Sequence, residues 1–129
     1  MEKIWFSEYQ KTGIPETVEL PAENTSLNDV FERKFQKFAS RDAFIFMDKV
    51  LTFGQLDEES RKFATYLQSL GLAKGSRVAV MMPNVLQYPI VALGVFRAGY
   101  VLVNVNPLYT SRELEHQLND SGSEALVII

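Results

Sequence analysis

The stretch RVAVMMPNVLQYPIVALGVFRAGYVLVNVN, residues 77–106, alternates between two kinds of apolar pattern. A β-rich run comes first, a mostly apolar helical segment begins at Asn84, and a second β-rich run follows. Thr110 and Glu113 then have the spacing of a helix cap, and EALVII forms a third apolar run at 124–129. Near-continuous apolar strands separated by helices are typical of a parallel sheet covered on both faces. The sequence therefore predicts an α/β fold.

The segment ahead of these runs has the pattern of an amphipathic helix. Ser26 and Asp29 have capping-box spacing, and residues 27–39 follow with one apolar stripe. The stripe comprises Leu27, Val30, Phe31, Phe35 and Phe38. A membrane-facing helix is the functional alternative. The opposite face carries Glu32 among its cations, however, and the pattern favours packing against the protein core.

A hairpin and a second long helix are predicted next. Residues 43–53, AFIFMDKVLTF, contain two apolar runs that flank Asp48-Lys49, which predicts a β-hairpin with its turn there. Thr52 and Gln55 then form another capping box. The helix that they open ends at Gly71, because glycine adopts a positive φ without a Cβ clash.

Residues 1–25 contain Gly13, Pro15 and Pro21 with little periodicity, which predicts an extended N-terminal segment. The aromatic residues there are Trp5, Phe6 and Tyr9. Docking of these rings on the core of the domain is the simpler interpretation, and a contact between the subunits of a homodimer is the alternative. Residues 26–129 are predicted to form one α/β unit.

Composition narrows the class of protein. A chain of 129 residues with 47% apolar and 22% charged residues suits one soluble domain. A net charge of −3 without a basic run argues against nucleic-acid binding. The absence of cysteine excludes disulfides and thiolate sites and fits a cytoplasmic location. Residues 88–105 approach membrane-spanning length, but Arg97 near their centre favours a helix followed by a strand.

No glycine motif in the sequence predicts a phosphate site. Gly71 and Gly75 flank a lysine, yet they follow a predicted helix and precede a strand, the reverse of the P-loop order. We interpret both as turn residues. The strand-to-helix turn at 81–85 lacks the glycines of a dinucleotide-binding fingerprint. Asn84 in that turn is predicted to be a helix N-cap, and a ligand contact at the carboxyl end of the strand is the alternative.

Neither the single histidine nor the main acidic cluster has the setting of a catalytic group. His116 lies among polar residues of its predicted helix, whereas Leu114 and Leu118 are expected to face the core. The acidic residues 57–59 are interpreted as a solvated first helical turn, where negative charge complements the helix dipole. We predict no catalytic residue and no metal site in this chain.

Two longer stretches resemble the N-terminal signatures of the acyl-adenylate-forming ligases. The first, residues 51–84, begins LTFGQL where the family has Leu-Thr-Tyr-x-x-Leu, so Phe53 replaces the commoner Tyr. It continues into the family's Gly-Asp-Arg-Val turn as residues 75–78, with Ser76 in place of Asp.

The second stretch, residues 96–122, contains Arg97-Ala98-Gly99 and Asn106-Pro107, which are similar to the family's helix end and following strand. Within that superfamily, residues 81–122 look most like the bacterial long-chain fatty-acid–CoA ligases. The resemblance implies that this parallel-sheet subdomain, preceded by a helix and a β-hairpin, is the first part of a larger adenylate-forming ligase fold.

The resemblance also implies a reaction for the whole enzyme. The carboxylate of a long-chain fatty acid attacks the α-phosphate of ATP with Mg²⁺, giving an acyl-adenylate and pyrophosphate, and the thiol of coenzyme A then displaces AMP. The sequence lacks the family's Ser/Thr-Gly-Thr-Thr-Gly-type loop and its Tyr-Gly-x-Thr-Glu motif. We therefore expect the chain to be inactive alone and to bind none of these cofactors tightly.

One group of residues is carried over from the family. The loop after the second signature's strand lies near the coenzyme A channel of relatives, which assigns Asn106, Leu108 and Tyr109 to that region. Ligands of open α/β sheets bind outside the carboxyl ends of strands, where this loop is predicted. Pro107 is more simply a turn residue that leads to the Thr110 cap.

Several expectations concern the whole protein. A cytoplasmic enzyme is implied, with peripheral association at the inner face of the membrane as a further expectation. The alternatives are an adenylate-forming ligase for another carboxylate and a non-catalytic binding module. The final strand, within 124–129, is expected to leave an unpaired edge or an uncovered apolar face, which favours association.

Overall fold

The protein consists of five helices and five strands in the part of the chain that the structure, a computed structural model, describes: residues 3–15, 17 and 26–129. The helices are α1 (Phe6–Thr12), α2 (Leu27–Phe38), α3 (Phe53–Ser69), α4 (Gln87–Ala98) and α5 (Ser111–Ser121). The strands are β1 (Asp42–Phe46), β2 (Lys49–Thr52), β3 (Arg77–Met81), β4 (Val101–Val105) and β5 (Ala125–Ile128).

The last three strands form a parallel sheet in the order β4-β3-β5. In register, Arg77 of β3 lies opposite Val101 of β4, and Val78 lies opposite Ala125 of β5. Helix α4 connects β3 to β4, and α5 connects β4 to β5. The predicted α/β architecture, with a helix and a hairpin ahead of a parallel sheet, is confirmed.

Helices cover both faces of the sheet. On one face, Val78 and Val80 are fully buried and pack with Leu67 of α3 and Val95 of α4. On the other, Ala79, Met81 and Val105 pack against side chains of α5. Those side chains are Leu114 and Leu118, which confirms the predicted inward face of α5. The central strand β3 is thus buried on both sides, as its continuous apolar run predicts.

All three predicted capping boxes are present. The Ser26, Thr52 and Thr110 side chains each accept a backbone N–H three residues on, and the side chain there accepts the cap's own N–H. Gly71 has the expected positive φ of 74°. The N-cap prediction for Asn84 is wrong. The chain first makes a tight turn, in which the Val85 N–H donates to the Pro83 carbonyl at 2.9 Å, and α4 begins after it without a side-chain cap.

The β1–β2 hairpin is confirmed as antiparallel, but its turn is one residue earlier than predicted. Met47 and Asp48 form the turn with φ values of 46° and 60°, and Lys49 belongs to β2. Positive φ at both central residues matches the twist of the two strands, which is why a two-residue turn forms there.

The extended N-terminal prediction is wrong for residues 6–12, which form α1. This helix is only seven residues long, too short to show clear periodicity, and Gly13 ends it with a φ of 71°. No residue of α1 is buried and Trp5 is half exposed, so docking on the domain core is also wrong. Within the predicted segment, residues 1–2, 16 and 18–25 lie outside the described residues.

Candidate functional site

The loop that follows β4 is held by hydrogen bonds within itself. The Asn106 side-chain oxygen accepts the Leu108 N–H at 3.0 Å, and the Asn106 carbonyl accepts the Tyr109 N–H at 3.1 Å. Asn106 therefore shapes the turn, in the way that asparagine often does in loops. Leu108 at its tip is 85% exposed, so a large apolar side chain points away from the protein.

Tyr109 lines an open groove of about 810 Å³ that extends along α5. The other lining residues are Thr110, Arg112, Glu113, His116, Gln117 and Asp120. Neither Asn106 nor Leu108 is among them, so the three residues assigned to this loop do not converge on one pocket. Tyr109 and His116 do share the groove, which sequence spacing alone did not predict.

Hydrogen bonds fix the base of the groove to the sheet. The Gln117 side-chain N–H donates to the Asn104 carbonyl at 2.8 Å, and the Tyr88 hydroxyl donates to the Asn104 side-chain oxygen at 2.9 Å. The Gln117 Oε1 atom is buried and has no hydrogen-bond partner. At the start of α5, the Thr110 hydroxyl and N–H hold the pKa of Glu113 below its ordinary value.

A buried arginine outside this groove was missed at the sequence level. Arg97 Nη2 lies 3.0 Å from Glu32 Oε1 and 2.5 Å from Asp57 Oδ1. Arg61 Nε lies 3.1 Å from the same Asp57 oxygen and also pairs with Glu32. The Arg97 guanidinium is 5.3 Å from the Phe35 ring centroid. These four charged residues, the Arg97 network, connect α2, α3 and α4.

The Arg97 network corrects the prediction for residues 57–59. Helix α3 begins at Phe53, so its first turn holds no acidic residue, and Asp57 instead binds Arg97, whose side chain is only 8% exposed. The other two carboxylates do face solvent. Glu58 and then Glu59 bind the Lys62 ammonium, at 2.8 and 2.9 Å, and raise its pKa above the usual range.

The glycines around Lys74 are turn residues, as predicted. Gly71 and Gly75 have φ values of 74° and 86°, and they lie between α3 and β3. Within residues 3–15, 17 and 26–129, no three histidine or acidic side chains are grouped so that they could hold a metal ion. In the same described part, no helix has the length and apolar character that a membrane span requires.

Comparison with known proteins defines the class of protein to which this arrangement belongs. Residues 31–128 match the model of the AMP-binding enzyme family, which covers most of the chain. The chain therefore belongs to the family of AMP-binding enzymes. The matched region begins in α2 and includes the hairpin, α3 and the whole parallel sheet.

Particular members of the family are similar over the entire chain. The long-chain-fatty-acid–CoA ligases of Yersinia pestis and Escherichia coli O6:H1 are 55% and 53% identical to it over 130 aligned residues. The ligase of Bacillus subtilis is 40% identical over 128 residues. The chain spans 23% of the length of the first two and 22% of the third. It thus matches only the N-terminal part of these relatives.

Solved structures of adenylate-forming enzymes have the same fold. The N-terminal subdomain of Klebsiella oxytoca NpsA, in complex with 3-hydroxyanthranilyl-AMSN, matches with a TM-score of 0.76 at 29% identity over 80% of this chain and 26% of that chain. A benzoate CoA ligase from Burkholderia xenovorans matches with a TM-score of 0.73 at 29% identity over 77% of this chain and 20% of that chain.

Proposed function

We propose that this chain serves as the N-terminal part of an ATP-dependent long-chain fatty acid–CoA ligase. The observation that carries the proposal is 53–55% identity over the whole chain to ligases of that name. In the proposed reaction, the fatty-acid carboxylate attacks the α-phosphate of ATP, pyrophosphate leaves, and the coenzyme A thiolate then displaces AMP from the acyl-adenylate. Mg²⁺ would neutralise the charge that develops on the phosphoryl oxygens.

The contribution of this chain to that reaction is the wall of the coenzyme A channel. The loop at Asn106, Leu108 and Tyr109 lies outside the carboxyl end of a parallel strand, where α/β sheets bind ligands. The exposed Leu108 side chain offers an apolar contact and Tyr109 offers a ring and a hydroxyl. The hydrogen bonds that Asn106 accepts from the Leu108 and Tyr109 backbone hold these two residues in place before coenzyme A binds.

A fusion protein tests the ligase assignment. The 129 residues replace the corresponding quarter of the E. coli ligase, and formation of acyl-CoA and AMP from palmitate, ATP and coenzyme A is measured. We expect the fusion to be active and the 129-residue chain alone to release no AMP. An inactive fusion beside an active, identically rejoined E. coli protein contradicts the proposal, as does AMP release by the chain alone.

The substrate class is tested with the same fusion. Fatty acids of graded length, benzoate and anthranilate are compared by kcat/KM, with the highest values expected for long chains. Benzoate is included because a structural neighbour is a benzoate CoA ligase. A preference for an aromatic acid would replace the fatty-acid assignment while leaving the adenylate-forming class intact.

The proposed contact between this loop and coenzyme A is tested by the KM for coenzyme A. In the fusion, we expect Tyr109→Ala and Leu108→Ser each to raise the KM for coenzyme A, because each removes contact area in the channel. The two substitutions combined should raise it about tenfold, and the KM for ATP should stay unchanged. Leu70→Ser, which also truncates an exposed leucine but at the end of α3, is the matched control. Unchanged coenzyme A kinetics in both loop variants contradict the assignment.

The location and assembly of the whole enzyme are also proposals. We infer a cytoplasmic enzyme that associates peripherally with the inner face of the membrane, and a homodimer that forms through the N-terminal segment. The half-exposed Trp5 and the exposed Ile4 of that segment support a contact of this kind. Fractionation of cells and sedimentation of the Trp5→Ser variant test the two statements separately.

A further inference from the structure

The β1–β2 hairpin presents large apolar side chains to solvent on both of its faces. On one face, Phe44 and Phe46 are partly exposed beside the buried Leu51. On the other, Ile45 is 69% exposed opposite the exposed Val50. At the turn, Met47 is 80% exposed. We define the hairpin surface as these exposed residues: Phe44, Ile45, Phe46, Met47 and Val50.

The sequence of β1 indicates that both faces are covered in the functional protein. A hairpin with one face in water alternates apolar and polar residues, whereas residues 43–47, Ala-Phe-Ile-Phe-Met, form an unbroken apolar run. Unbroken runs are typical of strands that are buried on both sides, as β3 is in this structure. A two-stranded hairpin is also only marginally stable by itself in water.

We propose that the hairpin surface is a docking site for the polypeptide that long-chain ligases carry beyond the quarter matched by this chain, packed on both faces of the hairpin. The inference rests on the proposed function, namely that the chain works as part of a full-length ligase. The relatives supply such polypeptide, because this chain spans only 23% of their length. The hairpin lies within the matched family region, residues 31–128.

Charge argues against symmetric pairing of two copies of the chain at the hairpin surface. Residues 33–49 contain five cationic residues and two carboxylates, while the rest of the sequence contains eight cationic residues and fourteen carboxylates. Three of the five cationic residues, Arg33, Lys34 and Lys37, lie on α2, which packs against the hairpin. A symmetric contact between two copies of this region would bring these like charges together, which disfavours association. None of the cationic residues in 33–49 belongs to an ion pair within the described part of the chain, so that charge stays available to an acidic partner surface.

The turn argues against a lipid bilayer as the occupant. Asp48 and Lys49 follow Met47 directly, and the positive φ of Asp48 fixes it at the extreme tip of the hairpin. Insertion of the tip would carry both charges into the apolar layer, at a cost that is high for aspartate and lysine alike. A protein surface can contact the apolar faces and leave the charged tip in water.

Cysteine labelling of the fusion with the E. coli ligase tests this docking site. The chain has no cysteine, so Ile45→Cys and Phe46→Cys each place one thiol on opposite faces of the hairpin. Leu70→Cys at the exposed end of α3 is the matched control. Labelling by a thiol reagent is followed on the corresponding peptide by mass spectrometry. Because access controls thiol reactivity, we expect both hairpin thiols to react at least ~10-fold more slowly in the fusion than in the 129-residue chain.

The possible outcomes separate this inference from the proposed function. The control thiol is expected to react at similar rates in both proteins. Hairpin thiols that react equally fast in an active fusion overturn the docking site and leave the ligase assignment standing. Slow labelling in an inactive fusion supports the docking site and contradicts the ligase assignment. Protection that appears only with phosphatidylglycerol vesicles, or only at concentrations where the chain dimerises, overturns the inference.

Discussion

At the scale of single residues, Arg97 shows how one charge can organise a core. It is the only charged residue of α4, and its side chain is almost fully buried between α2 and α3. Two carboxylates compensate the charge, and both retain some contact with water. A buried ion pair adds little net stability over an apolar replacement, but loss of one partner leaves an uncompensated charge. Loss of Arg97 alone should therefore reduce stability more than replacement of Arg97 together with its carboxylate partners.

Replacement of Arg97 by Ala should destabilise the protein strongly. Glu32 and Asp57 would keep only the half-exposed Arg61 as a cation, and the buried Arg97 side chain would leave a cavity beside Phe35. We therefore expect a loss of about 3 kcal/mol in the free energy of unfolding measured in urea. Arg61→Ala is the matched control, because Arg61 binds the same two carboxylates from the protein surface and should cost at most about 1 kcal/mol. Equal losses for the two variants would show that burial of Arg97 is unimportant.

At the scale of elements, the capping boxes of α3 and α5 differ by one charge. Gln55 closes the box of α3 and Glu113 closes that of α5, with the same pattern of bonds to a threonine. The threonine hydroxyl and N–H lower the pKa of Glu113 from its ordinary value of 4.5. A carboxyl group whose pKa falls on folding stabilises the folded state above the unfolded pKa, and this contribution is lost as pH falls through the folded pKa.

Glu113→Gln should remove this pH dependence and keep the box, since α3 already uses glutamine in that position. We expect the wild-type protein to have the higher Tm at pH 7, because the charged acceptor bonds more strongly and complements the helix dipole. The difference should shrink below pH 4.5 and vanish once Glu113 is protonated in both states. Parallel Tm curves for the two proteins from pH 7 to pH 3 would contradict the argument.

The contact between α3 and α4 depends on Gly94. A Cβ at this position would lie 2.6 Å from Phe63 Cδ1 and 3.2 Å from the Ser60 carbonyl oxygen. Alanine normally stabilises a helix relative to glycine, but here overpacking should dominate, and we expect Gly94→Ala to cost about 1–3 kcal/mol by urea unfolding. Adding Phe63→Leu should restore part of the loss. If Phe63→Leu restores no stability, the added Cβ clashes mainly with the Ser60 carbonyl oxygen instead.

Sequence analysis predicted the elements whose signals are local. The capping boxes and the Gly71 turn depend on residues three or four positions apart, and all of them are confirmed. The partners of Arg97 could not be read in this way, because Asp57 is 40 positions distant and meets Arg97 only after α3 packs on α4. The lone charge in an apolar helix was the available signal. It indicates a buried partner but does not identify it.

The candidate site was predictable to a similar extent. The strand end that positions residues 106–109 follows from the alternating pattern, and the fold confirms its place after β4. The groove beside it was not predicted, since it depends on how α5 packs across the sheet and brings Tyr109 and His116 to the lining of one groove. The family resemblance supplied the assignment to coenzyme A, which the geometry by itself does not contain.

At the scale of the whole molecule, the apolar surface is unevenly covered. Strand β3 is central and buried, whereas β5 forms an edge of the described sheet and carries the exposed Leu126 and Ile128. Helix α5 covers the β3 and β4 side of that face with Leu114 and Leu118. An edge strand with exposed apolar residues is a template for pairing with another chain. The predicted uncovered apolar face is thus confirmed at β5, and its association stays a prediction.

The isolated 129-residue chain should therefore associate through β5 as its concentration rises. We expect the mass measured by light scattering to increase with concentration for the wild-type chain and to stay monomeric for Ile128→Lys, because lysine on an edge strand opposes pairing. Tyr66→Lys is the matched control, since Tyr66 and Ile128 are both 57% exposed but Tyr66 lies on α3. If both variants reduce association equally, general apolar exposure is the cause. A wild-type chain that remains monomeric throughout contradicts the prediction.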